Sequence, residues 1–117
     1  MTNTSEKFGA FVRRKREAKE LGLREMAKMI GVSATYLSKV ERDEFLPPAE
    51  DKVKAVARIL GLDPDDLLAR AGRVSSDISE IIKRHPVELA ALLRTTKGLT
   101  REDIAQLARQ ARKSRED

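Results

Sequence analysis

Cysteine and tryptophan are absent from this 117-residue chain, and histidine occurs once, as His85. Without thiols there is no disulfide framework and no thiolate zinc site, and one imidazole does not make a metal centre. Aromatic residues are only 3% of the sequence, so a core has to come from Leu, Ile, Val and Ala. No apolar run approaches the roughly eighteen residues of a membrane span. The opening segment, MTNTSEKFGAF, lacks the basic start and apolar stretch of a secretory signal, so the expected location is cytoplasmic. Also missing are a Gly-rich phosphate loop and a nucleophile with a base to activate it. His85 directly precedes Pro86 and reads as a residue at a helix start. The acidic DPDD at 63–66 reads the same way rather than as a cation site, since Asp63 caps, Pro64 opens the helix and carboxylates suit that end of the dipole. No enzyme, no cofactor and no metal are expected.

What the chain does have is charge: 37% of its residues are Asp, Glu, Lys or Arg, with 24 basic against 19 acidic, a net +5. The excess is spread out. Residues 1–72 carry 14 basic and 12 acidic side chains, and residues 73–117 carry 10 and 7. Such a balance permits nucleic-acid binding without requiring it, so any affinity for phosphate must come from local placement. The run RRKR at 13–16 is not a patch, because four consecutive residues of a helix point in four directions.

The apolar periodicity is helical nearly throughout. Helix one is expected from about Glu6 to Glu20, with Phe8, Phe11, Val12, Lys15/Arg16 and Lys19 on one face. Helix two is expected from about Leu23 to Ile30, closed by Gly31 in a left-handed conformation. Ser33 caps a third helix reaching about Arg42, and Pro47-Pro48 ends regular structure. A fourth helix spans about Ala49 to Leu60. A fifth starts at Asp63-Pro64 and ends at Gly72, with Leu67, Leu68 and Ala71 inward. GRVSS then reads as a short joint. Three further helical stretches follow, from Ser76 to Arg84, Pro86 to Arg94 and Thr100 to Lys113. Thr100 and Asp103 have the spacing of a capping box, and the tail KSRED is expected to fray.

Two helices that cross steeply through a glycine turn need apolar residues at fixed places and a small residue where they touch. Met26, Ile30, Val32, Leu37 and Val40 supply the first requirement and Ala27 the second. The stretch LREMAKMIGVSATYLSKVERD, the LPP loop and VKAVARILGLDPDDLL, within about residues 7–68, resemble the lambda-repressor/Cro-like helix-turn-helix domain of the Xre group. The fold this implies is all-α: a five-helix lambda-repressor-like domain over 1–72, followed by a short helical C-terminal segment over 73–117. In that family helix three lies in the major groove of double-stranded DNA, and a dimer commonly reads a near-palindrome.

Carried onto this chain, the resemblance implies base reading by the start and outer face of helix three: Ala34, Thr35, Tyr36, Ser38 and Lys39. Lys39 is the candidate donor to guanine O6 and N7, and Thr35 suits a base edge or a thymine methyl. Tyr36 has two readings, a contact with the DNA backbone or a thymine methyl, and a half-buried surface ring. Ser33 is a cap first and a phosphate contact second. The start of helix two faces phosphate in the family. The family often has Gln at the position of Leu23 and Ser or Thr at that of Gly22, so the phosphate contact moves to Arg24 and Lys28, with Arg42 beyond helix three. Glu41 follows Leu37 by four residues and so shares its inward face. The family pattern pairs an arginine and a glutamate at the positions of Arg16 and Glu41; the alternative is a solvated Glu at a helix end.

GLTREDIAQLA at 98–108 imitates the opening of a second helix-turn-helix, but no Gly-Val-Ser turn follows it. In 73–113, Ile78, Ile81, Ile82, Leu89, Leu92, Leu93, Ile104 and Leu107 are more apolar side chains than a tail needs. They can pack back on helix five, pair with a second chain, or dock a protein partner. The expectation is a transcriptional regulator, a dimeric repressor reading a near-palindromic operator through residues 33–42. The alternative is an antitoxin, or a regulator controlled by a partner protease, that binds DNA and a protein partner.

Overall fold

The structure, a computed structural model, describes residues 6–116. Residues 1–5, in the segment read above for a targeting signal, and Asp117 of the KSRED tail lie outside the described residues. Among the described residues there are eight helices and no strands: α1 (Phe8–Ala18), α2 (Leu23–Ile30), α3 (Ala34–Glu41), α4 (Glu50–Leu60), α5 (Pro64–Arg70), α6 (Ser76–Arg84), α7 (Pro86–Thr95) and α8 (Arg101–Glu116). The chain divides into two compact units, one ending at Ser76 and one starting at Asp77. No helix among the described residues is long and apolar enough to cross a membrane.

In the first unit α1 packs on α3, α2 on α3 and α4, and α4 on α5. Helices α1 to α4 each bury residues three or four apart, which is what puts them on one stripe. Phe8, Phe11 and Val12 come from α1; Met26, Ala27 and Ile30 from α2; Leu37 and Val40 from α3. Val53, Val56, Ala57 and Leu60 of α4 close the core with Leu67 and Leu68 of α5. Each large apolar side chain so buried is worth about 1.5–3 kcal/mol. Val32 and Ala71 are only half-buried, and Lys19 lies at the surface, outside the stripe expected to include it.

α1 stops at Ala18, short of the expected Glu20, because Glu20 takes a left-handed φ of 54°. The Leu21 N–H then donates to the Arg16 carbonyl at 3.2 Å and the Glu20 N–H to that of Glu17 at 2.9 Å, a closed helix end. α3 ends the same way. Asp43 sits at φ 59°, the Glu44 N–H donates to the Lys39 carbonyl at 2.9 Å, and the Asp43 N–H to that of Val40 at 3.0 Å. Glycine is the easier residue there, by about 1–2 kcal/mol. Asp43 offsets that cost at the other end of α1, where its carboxylate accepts the Gly9 N–H at 2.8 Å and the Ala10 N–H at 3.2 Å. The local N-cap, Lys7, contributes no side-chain bond, so Asp43 caps α1 from 34 residues away. The approach is close: a Cβ on Gly9 would lie 2.1 Å from the Val40 carbonyl oxygen.

Lys52, Arg73 and Glu50 close the unit with further side-chain bonds. Lys52 Nζ of α4 donates to the Ile30 carbonyl at the end of α2, 2.8 Å away. Arg73 donates to the carbonyls of Pro47, at 3.0 Å, and Pro48, fixing the double-proline loop. The Glu50 carboxylate accepts from Lys54 Nζ at 2.9 Å and from the Ser76 hydroxyl at 3.0 Å. Residues 73–76, read above as a joint, are therefore fastened to the first unit, and Ser75 is buried.

The second unit is different. No residue of α6, α7 or α8 is buried. Thr100 and Asp103 form a reciprocal cap: the Asp103 N–H donates to Thr100 Oγ1 at 3.1 Å and the Thr100 N–H to Asp103 Oδ2 at 3.0 Å. His85 holds the N-cap position of α7 without a side-chain bond. α8 extends past the expected end at Lys113 to Glu116, with Lys113 and Arg115 in its last turn, where cations suit the negative end of the dipole. A groove of about 250 Å³ between α7 and α8 is lined by Leu92, Leu93, Thr96, Ile104, Leu107, Ala108 and Ala111.

Candidate nucleic-acid interface

Gly31 ends α2 at φ 76°, where a β-carbon is disfavoured. The Val32 N–H donates to the Ala27 carbonyl at 2.9 Å, and three residues later α3 has begun. Ser33 Oγ accepts the Tyr36 N–H at 3.0 Å, so the first turn of α3 is capped by its own serine. α3 is therefore held at both ends, by Ser33 and by the closure at Asp43.

Successive residues of a helix are separated by about 100°. On α3 this sends Leu37, Val40 and Glu41 into the unit, all buried. The opposite stripe is Thr35, Lys39 and Arg42, with Thr35 and Arg42 exposed and Lys39 half-buried. The other expected base-reading residues lie to either side of this stripe. Ala34 and Tyr36 rest partly against the core. Ser38 opens on a cleft of about 220 Å³ that it lines with Arg13, Arg16, Leu23, Glu41 and Arg42. Arg24 and Lys28, four apart on α2, are both exposed and make no ion pair among the described residues. Arg42 is engaged: its Nε lies 2.8 Å from the Glu44 carboxylate, an exposed pair of small net value.

Glu41 is buried and paired. Arg16 Nε and Nη2 donate to its two carboxylate oxygens at 2.8 and 2.9 Å, and Arg16 Nη1 donates to the Leu21 carbonyl at 2.8 Å. The Glu41 carboxylate holds the Arg16 guanidinium above its usual value, although burial opposes this. Residues 13–16 diverge as a helix requires. Arg13 pairs with Glu17 at 3.5 Å, Arg14 with Glu6 at 2.9 Å, Lys15 lies over the Phe11 ring at 5.5 Å, and Arg16 turns inward.

One group at the site escapes a reading of the sequence. Lys39 Nζ lies 5.2 Å from the centroid of the Phe45 ring, which in turn sits 5.8 Å from the Tyr36 ring at an interplanar angle of 43°. A Phe in a loop six residues after Lys39 carries no periodic signal. Among the described residues no cluster of His, Asp or Glu is arranged to hold a metal ion.

A helix held at both ends thus turns a polar and basic stripe outward, and the neighbouring α2 carries two exposed cations that make no ion pair among the described residues. The helix-turn-helix domain family matches residues 7–71, and the chain belongs to this family of DNA-binding transcription regulators, which are not enzymes. An uncharacterised HTH-type transcriptional regulator of Mycobacterium tuberculosis is 28% identical over 109 residues, covering 93% of this chain and 77% of its own length. The ImmF control region 10 kDa protein of Bacillus phage phi105 is 40% identical over 57 residues, 49% of this chain and 62% of that one. Among solved structures, the DNA-binding domain of the P22 c2 repressor in solution superposes with a TM-score of 0.50 at 31% identity, over 57% of this chain and 86% of that one.

Proposed function

We propose that this chain is a cytoplasmic, sequence-specific regulator that acts as a homodimeric repressor on a near-palindromic operator. α3 lies in the major groove, with Thr35 and Lys39 on base edges, Tyr36 and Ser38 at the margins and Ala34 and Ser33 at the entry. Arg24, Lys28 and Arg42 contact phosphate. On this reading residues 1–72 are the five-helix DNA-binding domain and 73–117 the dimerisation segment. The observation that carries the proposal is the division of α3: one face is locked into the core by Leu37, Val40 and Glu41, and the other offers Thr35, Lys39 and Arg42 outward. The second unit supports the homodimer, because none of α6–α8 is buried and the α7/α8 groove is lined almost wholly by apolar side chains.

Selection of bound duplexes from a random DNA pool tests the reading. The expected product is a near-palindrome with half-site centres about 10 base pairs apart or a multiple of that. Failure to enrich any sequence sinks it. Sedimentation at tens of micromolar should give twice the 13.1 kDa of one chain. A strict monomer whose apolar groove is filled only by a co-purifying protein supports the antitoxin or protease-controlled reading instead.

A further inference from the structure

Lys39 belongs to the outward stripe of α3, yet it is half-buried rather than free in solvent. Its ammonium nitrogen lies 5.2 Å from the centroid of the Phe45 ring. The ring is held from both sides. Two residues before it, Asp43 is pinned by its bonds to Gly9 and Ala10, and Glu44 by its N–H to the Lys39 carbonyl. Beyond it, the Pro47 and Pro48 carbonyls are clamped by Arg73. Tyr36, one turn before Lys39, packs against the same ring. The loop therefore presents an aromatic ring to the lysine, and Phe45 as a whole is 45% exposed.

We propose that Phe45 is a specificity-determining positioning residue: its ring holds the Lys39 ammonium over the outward face of α3, ready for the base it reads. This rests on the reading of Lys39 as the base contact. A free lysine samples many rotamers, and fixing it on a base costs entropy. A ring on one side of the ammonium removes part of that freedom before DNA arrives and leaves the N–H groups on the far side open to guanine O6 and N7. Phe45 lies outside the core, so its effect is on the lysine and not on folding.

The test uses the full chain and the same random duplex pool, with affinities then measured on the enriched duplex and on its single-base-pair variants. Lys39→Ala identifies the base pair read by Lys39. Phe45→Leu keeps an apolar side chain and removes the ring. It should lower discrimination at that same base pair by roughly two- to fivefold, with unfolding midpoint and discrimination at other positions unchanged. Phe45→Tyr should restore it. In a Lys39→Ala background, Phe45→Leu should have no further effect, and in the free protein the Lys39 ε-methylene proton shifts should lose their ring-current displacement in Phe45→Leu. If Lys39→Ala matters and Phe45→Leu does not, the positioning role is wrong while the base-reading role stands. If Phe45→Leu tightens binding, the ring competes with DNA for the lysine and the proposal is overturned. An equal loss in the Lys39→Ala background overturns it too, because Phe45 then acts on DNA directly. If Lys39→Ala itself leaves every preference intact, Lys39 reads no base and both assignments fall.

Discussion

Arg16 of α1 and Glu41 of α3 form a two-bond ion pair inside the first unit, Nε to Oε2 at 2.8 Å and Nη2 to Oε1 at 2.9 Å, with Arg16 only 9% and Glu41 only 4% exposed. The third donor of the guanidinium reaches the Leu21 carbonyl, and no buried side-chain polar atom among the described residues is left unsatisfied. The pair therefore ties α1, the loop after it and the helix proposed to read DNA into one rigid body. Removing one partner leaves a buried charge, at a cost of about 3–5 kcal/mol. Glu41→Gln and Arg16→Met should each show that loss in urea unfolding, and the double variant should lose less than the sum. Additive effects below about 1 kcal/mol would show that the pair contributes nothing beyond its surface equivalent.

Asp43 does two things that conflict, and substitutions separate them. Its left-handed backbone favours glycine, while its carboxylate caps α1. Asp43→Ala loses the cap and keeps the strain, and should cost about 0.5–2 kcal/mol. Asp43→Gly loses the cap but relieves the strain, so it should cost less than alanine. The reverse order in thermal unfolding would mean that the carboxylate does not cap α1. Gly9→Ala should also destabilise, on the order of 1–3 kcal/mol, since the new methyl meets the Val40 carbonyl, a backbone atom that cannot rotate away.

The acid limb of stability should come partly from Glu50 and Glu6. Hydrogen bonds from Lys54 and then Ser76 hold the Glu50 carboxyl below the usual carboxylate range, and Arg14 does the same for Glu6. A carboxyl whose pKa is lower folded than unfolded takes up its proton more readily in the unfolded chain. The stabilisation is complete above the unfolded value of about 4.3 and is lost as pH falls through the folded one. Unfolding midpoints measured from pH 7 downward should therefore drop below about pH 5, and Glu50→Gln should flatten that limb while lowering the plateau. An unchanged acid limb in Glu50→Gln would remove Glu50 from the account.

Which parts of this structure were legible in the sequence follows from the distance along the chain of the interactions that make them. Gly31, Ser33, Asp63-Pro64 and the Thr100–Asp103 pair mark helix ends through bonds that span no more than five residues, so residue type and spacing suffice. The inward stripes follow from a period of 3.6 residues, and this places Leu37 and Glu41 on one face without any knowledge of what they meet. Asp43 on Gly9, Lys52 on Ile30, Arg73 on Pro47 and Glu50 on Ser76 span 22 to 34 residues. None has a local signature, because the partner in each case includes a backbone group that any residue could provide. The same holds at the candidate interface. Helix period alone separates Thr35 and Lys39 from Leu37, whereas Lys39 over Phe45, and Arg42 tied to Glu44, depend on the path of a loop that periodicity does not describe.

Arg24 and Lys39 should fail differently when removed, and the difference tests the division of labour proposed for α2 and α3. Phosphates are the same at every base pair, so a side chain that meets one contributes affinity without preference. Arg24 is exposed on α2, next to its amino-terminal end. Arg24→Ala should weaken binding to all duplexes by a similar factor and reduce the slope of log K against log salt by about one. Lys39 lies on the α3 stripe, and Lys39→Ala should cost about 1–3 kcal/mol on the selected site and relax the preference at one base pair per half-site. Both comparisons need the same salt series, because a specific and a non-specific contact can look alike at one ionic strength. Loss of preference in Arg24→Ala, with only a uniform loss in Lys39→Ala, would exchange the two roles and place α2 rather than α3 in the groove.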